Sequence, residues 1–225
     1  MLFFKPSSTL ALAGLAAFHC CISPAWTCPE PGDEIPAPPA TKGYFINHLC
    51  INIRNATESI AWYNRAFGLR LMFTVHASEH FSISYMGHSH GGRNGTGYQS
   101  SDEMNRDKNN IEGLIEILSL DYPGWDLPPG TRVPNTFSHI GMVVPNITDT
   151  QARLEARGAN IIKGAGETFK LDGEFAVTSG FTQPGVADVI DQKEIDALTA
   201  VLVQINTPLM YVADPDGTII EVQSQ

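Results

Sequence analysis

Two segments of the chain share one order of apolar and polar positions. Residues 46–71 and 137–162 each begin with a short apolar run that contains one histidine. Seven residues after that histidine, each segment has Asn-x-Thr followed by an acidic residue. Asparagine at this place can cap a helix, because its side chain accepts hydrogen bonds from the unpaired amides of the first turn. The pattern therefore predicts a repeated strand and helix.

The predicted helices have one apolar face and end at glycine. Ile60, Tyr63 and Phe67 share a face in the first copy. Gly68 and Gly158 stand where a helix end favours the left-handed conformation. Apolar strands follow in both copies, and the last strand of each contains a glutamate. The predicted strands are 45–53, 69–75, 80–86 and 112–120, then 136–144, 160–164, 173–179, 208–213 and 218–223, with helices at 57–67 and 147–157 and an inserted helix at 191–205.

Composition divides the chain into three parts. Residues 1–25 contain a lysine, an apolar run and then small residues, which is typical of a secretory signal peptide and too short for a membrane span. Residues 26–42 are proline-rich and are predicted to form an extended arm. Residues 43–225 are predicted to form one α+β domain of two paired βαβββ modules, 43–121 and 135–225.

Three Asn-x-Thr sequons agree with a secreted protein. They are Asn55, Asn94 and Asn146. Because Asn55 and Asn146 are predicted helix caps, Asn94 is the expected glycosylation site. An oxidising compartment would permit a disulfide between Cys28 and Cys50, and the alternative is two unpaired thiols.

The formal net charge of −10 limits the partners. Nucleic acids and anionic membrane surfaces attract basic proteins, so neither is an expected partner, and no membrane attachment is expected after signal cleavage. We expect a small-molecule substrate and a monomer or homodimer.

Four polar residues stand inside apolar strands at equivalent places of the repeat. They are His48 and His139 in the first strands and Glu116 and Glu221 in the last. A buried polar side chain needs a partner, and pairing of the modules about a pseudo-twofold axis would bring all four to a common centre. Two imidazoles and two carboxylates suit zinc or nickel, and also iron, cobalt or manganese. The alternative is four separate polar residues with local hydrogen bonds.

Five motifs carry a resemblance to a known family. They are NHLCINIRN, WYNRAFGL, LIEIL, SHIGMVVPN and MYVADPDGTIIEV, from about Tyr44 to the C-terminus with two insertions. With them the chain resembles the vicinal oxygen chelate superfamily, and most of all glyoxalase I (lactoylglutathione lyase). The resemblance implies one divalent metal ion between the paired modules, bound by His48, Glu116, His139 and Glu221. In the family's mechanism a carboxylate removes a proton next to a carbonyl, so Glu221 is the implied base and Glu116 its symmetry partner.

The chain departs from glyoxalase I where that enzyme binds glutathione. The family has an arginine four residues after the first ligand and another four before the third, and Asn52 and Asn135 stand there. Leu120 replaces an asparagine of the family, and Thr207-Pro208 replaces the lysine and glycine of its closing loop. Without the two guanidinium groups, the chain lacks the partners suited to glutathione carboxylates. We therefore expect poor use of the methylglyoxal–glutathione adduct.

The segment GHSHGGRNGTGYQ, residues 87–99, has no counterpart in the common pattern. It follows a strand that would reach the cleft, and its glycines would let it fold over a ligand. A substrate-binding role would use the polar side chains Arg93, His88, His90, Tyr98 and Gln99. The alternative is a surface loop that carries a sugar on Asn94.

These observations predict a secreted, metal-dependent lyase or isomerase that acts on a small vicinal-oxygen substrate. A ring-cleaving extradiol dioxygenase is one alternative, because His48, His139 and Glu221 alone form a two-histidine, one-carboxylate set. Glu116 counts against it, since this carboxylate occupies a position that dioxygen chemistry needs open. The other alternative is a small-metabolite binding or resistance protein of the same superfamily. Such proteins often lack the metal ligands, and this chain keeps all four.

Overall fold

Two modules of the same topology lie in residues 41–225. The computed structural model describes residue 32 and residues 35–91, 97–121, 123–124, 127–128, 137–170 and 192–225. The chain divides into two compact units, residues 1–40 and 41–225, and the described α-helices and β-strands belong to the second. The predicted signal peptide and the strand predicted at 173–179 lie outside the described residues. Within the described part, no helix is both long enough and apolar enough for a membrane crossing.

The first module places four strands in one mixed sheet. The strand order is β1-β4-β3-β2, with β1 parallel to β4 and the other neighbours antiparallel. The connection from β1 to β4 is long enough for a parallel pair, because it includes a helix and a hairpin. The elements are β1 His48–Ile53, α1 Ala56–Phe67, β2 Arg70–His76, β3 Phe81–Gly87, α2 Ser101–Asp107 and β4 Leu114–Leu120.

The second module repeats this topology. Its strand order is β5-β8-β7-β6, again with the first and last strands as parallel neighbours. Two four-stranded mixed sheets with interspersed helices confirm the predicted α+β fold. The inserted helix is confirmed as α4. The elements are β5 Ile140–Val144, α3 Ile147–Glu155, β6 Asn160–Lys163, α4 Gln192–Asn206, β7 Met210–Ala213 and β8 Ile219–Ser224.

The helices begin at the asparagines of the repeat. The side chain of Asn55 accepts a hydrogen bond of 3.1 Å from the amide of Glu58. The side chain of Asn146 accepts one of 3.1 Å from the amide of Asp149. Gly68 ends α1 with a φ of 75°, a conformation that is unstrained without a β-carbon. The predicted caps Asn55, Asn146 and Gly68 are therefore confirmed, whereas α3 ends at Glu155 with Ala156 as its cap, before the predicted Gly158.

One face of each sheet packs into a shared apolar core. Ile51 and Ile53 of β1 belong to this core together with Ile220 and Val222 of β8, and Tyr63 of α1 packs among them. Side chains alternate along a strand, so the intervening residues lie on the opposite face of each sheet. These opposite faces point away from the shared core, and we call them the outward faces.

The turn between β7 and β8 joins the modules through two buried aspartates. Asp216 accepts hydrogen bonds from Oγ of Ser59 at 2.7 Å and from Nε of Arg54 at 2.8 Å. Asp214 accepts one from the hydroxyl of Tyr63 at 2.8 Å. Burial raises the pKa of Asp214, and burial followed by the charge of Asp214 raises the pKa of Tyr63. This acidic turn, residues 214–217, holds α1 of the first module against the second.

Helix α2 is absent from the predicted elements. Ser100 caps it, because its Oγ accepts from the amide of Glu103 at 3.2 Å while the Glu103 carboxylate accepts from the amide of Ser100 at 2.7 Å. These bonds to Ser100 lower the pKa of Glu103. A helix of seven residues is too short to show periodicity, but Ser-x-x-Glu is a recognisable start signal.

Candidate metal centre

The first pair of predicted ligands meets on the outward face of the first sheet. His48 opens β1, Glu116 lies in the middle of β4, and the parallel register sets Cys50 beside Glu116. Nε2 of His48 lies 3.3 Å from Oε2 of Glu116, and the two side chains are 36% and 20% exposed. The pair is therefore accessible to solvent.

The side chain of Asn47 fixes the tautomer of His48. Its Nδ2 donates to the carbonyl oxygens of Lys108 at 2.8 Å and Ile111 at 2.6 Å. Its Oδ1 therefore faces Nδ1 of His48, at 3.0 Å, and accepts the proton on that nitrogen. Nε2 of His48 is then the ring nitrogen that faces the Glu116 carboxylate.

Tyr85 and Cys50 complete the surroundings of Glu116. Tyr85 lies opposite Glu116 in the register of β3 and β4. Burial, followed by the charge of Glu116, raises the pKa of the Tyr85 hydroxyl and of the Cys50 thiol. Both therefore remain hydrogen-bond donors near neutral pH. The Cys50 thiol is free, and Cys28 lies outside the described residues.

The second module repeats this arrangement around Glu221. Nε2 of His139 lies 3.5 Å from Oε2 of Glu221. The hydroxyl of Tyr211 donates to the same oxygen at 2.8 Å, and the register of β7 and β8 sets the two residues opposite each other. Burial, followed by the bond to Glu221, raises the pKa of Tyr211. Nδ1 of His139 lies 3.0 Å from Oγ of Ser138.

Each module thus carries one histidine, one glutamate and one tyrosine, which we call a half-site. The first half-site is His48, Glu116 and Tyr85, and the second is His139, Glu221 and Tyr211. The two tyrosines do not stand out in the sequence, because tyrosine is an ordinary residue of half-buried strands. What marks them is their equivalent position in the two modules. In each module the tyrosine lies opposite the site glutamate, on the neighbouring strand.

Within one chain the predicted ligands form two pairs and not one cluster. Ile115 and Ile117, on either side of Glu116, belong to the shared core, as do Ile220 and Val222 on either side of Glu221. Both glutamates therefore lie on outward faces. Among the described residues, no group of three or more His, Cys, Asp or Glu side chains is placed to hold a metal ion. The structure does not bring the four side chains to a common centre in one chain, and the ligand set stays a prediction.

The chemistry of each pair fits a divalent metal ion. In the first half-site Nε2 of His48 faces a carboxylate oxygen, and either a proton or a metal ion between these two atoms makes the contact favourable. Metal bonds of about 2.1 Å to nitrogen and oxygen hold neighbouring ligand atoms roughly 3–3.4 Å apart. The observed separations are 3.3 Å and 3.5 Å. Imidazole and carboxylate are ligands that zinc and nickel accept.

Two of the predicted substrate-loop residues contact neighbouring structure. Nε2 of His88 lies 2.9 Å from the carbonyl oxygen of Phe67, at the end of α1. Tyr98 is 79% exposed, and the guanidinium of Arg70 lies 4.6 Å from its ring centroid. In the described residues, neither contact joins the loop to the first half-site.

The remaining loop residues are divided between described and undescribed positions. Oε1 of Gln99 accepts from the amide of His90 at 2.8 Å, and its Nε2 donates to Asp107 at 3.1 Å. Arg93 and Asn94 lie outside the described residues. The substrate role of the loop and the glycosylation of Asn94 therefore stay predictions.

The outward faces also carry the departures from the glyoxalase I pattern. Asn52 is exposed on the outward face of β1, beyond His48 and Cys50. Leu120 ends β4 and is partly exposed. Asn135 lies outside the described residues. Neither described position offers a charged group to a ligand at the first half-site.

Comparison with known proteins gives one family. The family model of the Glyoxalase/Bleomycin resistance protein/Dioxygenase superfamily matches residues 45–222. A curated relative, lactoylglutathione lyase of Pseudomonas aeruginosa, is 23% identical over 142 residues, which cover 60% of this chain and 77% of that protein.

Solved structures with a similar fold include enzymes and a resistance protein. The trypanothione-dependent glyoxalase I of Leishmania major has a TM-score of 0.44 at 12% identity, covering 80% of this chain and 86% of that one. Glyoxalase I of Zea mays has a TM-score of 0.46 at 12% identity, covering 80% and 45%. The fosfomycin resistance protein of Listeria monocytogenes has a TM-score of 0.39 at 9% identity, covering 80% and 90%. The family model matches most of the chain, and the chain therefore belongs to the glyoxalase/bleomycin resistance protein/dioxygenase superfamily.

Proposed function

We propose that the protein is a secreted, metal-dependent lyase or isomerase that moves a proton on a small substrate with vicinal oxygens. The observation that carries this proposal is the half-site, which occurs twice with the same side chains and the same strand register. A polar residue kept only for a local hydrogen bond has no reason to recur with its histidine and tyrosine partners in a second module.

A second copy of the chain would complete each metal centre. The half-sites lie on outward faces, where His48 and His139 remain about a third exposed, at 36% and 33%. Val143, on the outward face of β5, is 52% exposed and is available for a contact between copies. In a twofold dimer, the first half-site of each subunit would meet the second half-site of its partner. This arrangement provides two centres per dimer, each with two histidines and two glutamates.

Glu221 is the proposed base. When bound, a divalent metal supplies Lewis-acid polarisation of the substrate's oxygens. The Glu221 carboxylate accepts a proton from the carbon beside the carbonyl and returns it to the neighbouring carbon. Tyr211 holds Oε2 of Glu221 at 2.8 Å, which leaves Oε1 for the substrate. Glu116, which lies opposite Tyr85 in the strand register, is the symmetry partner of the base.

The substrate is proposed to differ from the glutathione adduct. Asn52 and Asn135 replace the two arginines expected for glutathione carboxylates. Loss of one partner of a desolvated charge pair costs about 2–5 kcal/mol of binding. The missing contacts would also leave the reacting carbon poorly placed for Glu221.

Proton exchange tests the proposed reaction before the substrate is known. Zinc- or nickel-loaded protein in deuterium oxide is mixed with a panel of small α-hydroxycarbonyl compounds, and carbon-bound deuterium is measured by NMR. We expect exchange with at least one compound and a loss of roughly a hundredfold or more in Glu221→Gln. Glu112→Gln changes an exposed glutamate and serves as the matched control. Equal exchange by Glu221→Gln or by metal-free protein would contradict the proposal.

Secretion is supported by the composition of residues 1–25 and by the sequons. Mass spectrometry of culture medium is expected to find a chain that starts near residue 26. An intact Met1 start on a chain that stays inside the cell would contradict this part of the proposal.

A further inference from the structure

The segment between β3 and β4 covers part of the outward face of the first sheet. Met104 of α2 is 0% exposed and packs in a small core with Tyr85 and Leu114. Tyr85 opposes Glu116 in the register, and Leu114 is two residues before it, so both lie on the outward face. Residues 97–113 therefore form a wall beside the first half-site.

This wall is fixed in place by several hydrogen bonds. The side chain of Asn47, next to the ligand His48, binds the carbonyl oxygens of Lys108 and Ile111. Arg70 donates to the carbonyl oxygen of Gln99, at the other end of the wall. Lys108 is thus held by its backbone, and its side chain is not needed to anchor the segment.

The side chain of Lys108 extends over the aromatic ring of the first half-site. Its Nζ lies 4.0 Å from the ring centroid of Tyr85 and 5.9 Å from that of Phe73. The Tyr85 ring in turn contacts the His48 ring, with centroids 5.4 Å apart. In the described part of the chain, no Asp or Glu forms an ion pair with Lys108 and no acceptor takes a hydrogen bond from its Nζ. An ammonium group with free donors therefore lies at the edge of the proposed metal centre.

We propose that Lys108 binds a carboxylate group of the substrate beside the metal centre. This inference rests on the proposed function, and it narrows the substrate to a vicinal-oxygen compound that carries a negative charge. An ammonium on an aromatic ring is partly desolvated, which strengthens its attraction to an anion. The ammonium of Lys108 also supplies a positive charge in a site where the side chain of Asn52 is uncharged. Among the described ion pairs, none joins Lys108 to Glu116, so the ammonium is not neutralised by direct pairing with that carboxylate.

Two chelating probes that differ only in charge test this inference. Succinic monohydroxamate and its primary amide offer the same pair of vicinal oxygens to a metal, and only the first has a carboxylate. Both are titrated calorimetrically into zinc-loaded full-length protein. We expect the acid to bind about tenfold more tightly than the amide, as a charge-assisted hydrogen bond requires.

Two substitutions of Lys108 separate the effect of its charge on binding from any effect on the structure. Lys108→Met should reduce the ratio of the two affinities to about one, and Lys108→Arg should restore it, because the guanidinium keeps the positive charge. Lys193→Met, at an exposed lysine of α4, is the control and should keep the wild-type ratio. An unchanged ratio in Lys108→Met, or a ratio near one in the wild type, would overturn the inference. If the protein takes up no zinc, the proposed function fails, and the same comparison with succinate and succinamide on metal-free protein decides the role of Lys108.

Discussion

At the scale of single residues, a tyrosine lies beside each site glutamate. Tyr211 donates to Oε2 of Glu221 at 2.8 Å, and Tyr85 lies opposite Glu116 in the strand register. Burial and the neighbouring glutamate raise the pKa of both tyrosines, so each remains a donor across the neutral range. Partners that orient a ligand in this way affect metal affinity without contacting the metal.

Removal of either hydroxyl is expected to weaken metal binding. Tyr85→Phe and Tyr211→Phe should each reduce zinc affinity by about tenfold, because the glutamate loses the neighbouring hydroxyl that helps to orient it. Competition with a chromophoric chelator gives the affinity, and thermal unfolding reports whether the fold is kept. Tyr98→Phe is the control, since that side chain is exposed and away from the glutamates. Wild-type affinity in both site variants would show that the tyrosines have no such role.

The sequence predicts the polar residues of the site better than their partners. His48, Glu116, His139 and Glu221 are conspicuous because each interrupts an apolar strand at a repeated position. Tyr85 and Tyr211 are not conspicuous, since tyrosine suits a strand whether or not it contacts a glutamate. The tautomer of His48 also depends on Asn47, whose amide is oriented by carbonyl oxygens more than sixty residues away. Such long-range contacts leave no periodic signal.

At the scale of elements, the acidic turn is the main polar link between the modules. Asp214 and Asp216 are buried against Tyr63 and Ser59 of α1. The sequence indicates the turn itself, because Asp-Pro-Asp-Gly is a strong turn sequence between the strands predicted at 208–213 and 218–223. It could not predict the contact with α1, since alternation says which residues share a face and not which element covers that face.

The acidic turn is expected to make the free energy of unfolding fall at alkaline pH. Burial followed by the charge of Asp214 raises the pKa of Tyr63 well above its ordinary value of 10.0. A raised pKa in the folded state contributes stability below the ordinary pKa, and that stability is lost as the pH rises through and above it. Tyr63→Phe should therefore lose about 1 kcal/mol at neutral pH but show a flatter decline as the pH rises above about 10.

Urea unfolding over this pH range measures the effect as the free energy of unfolding. Tyr44→Phe changes an exposed tyrosine of the same module and should follow the wild type. Parallel profiles for the wild type and Tyr63→Phe would show that the phenol of Tyr63 does not contribute to the alkaline decline.

At the scale of the whole molecule, the two half-sites of one chain point outward from the shared core. Substitution of single ligands can therefore show whether the metal centre forms within one chain or between two chains. In the proposed dimer, a His48→Ala subunit and a His139→Ala subunit each lack one ligand, but their mixed dimer has one centre with all four ligands.

Mixing the two variants tests this arrangement. Each variant alone should bind zinc weakly, and a mixture exchanged through mild denaturant should regain one tight site per mixed dimer. Elemental analysis of the mixed dimer, separated by different affinity tags, gives the stoichiometry. A centre built within one chain would not be restored by mixing, so an absence of tight sites in the mixed dimer would contradict the proposal.

The methylglyoxal–glutathione hemithioacetal is expected to be a poor substrate. Asn52 and Asn135 lack the charge for glutathione carboxylates, and even one such loss weakens binding by roughly tenfold or more. The formation of lactoylglutathione by nickel- or zinc-loaded protein is measured by absorbance. Asn52→Arg should increase turnover if the missing charge is the cause. Turnover by the wild type comparable to that of an ordinary glyoxalase I would contradict this expectation.

The acidic turn also has a consequence for the order in which the molecule can be assembled during synthesis. Ser59 and its partner Asp216 are separated by 157 residues. When the first module leaves the ribosome, the hydroxyls of Ser59 and Tyr63 have not yet met the aspartates that receive their protons. Burying them at that stage would cost about 1–3 kcal/mol for each unpaired group. The first module is therefore expected to remain incompletely packed until the β7–β8 turn has left the ribosome and has packed against α1.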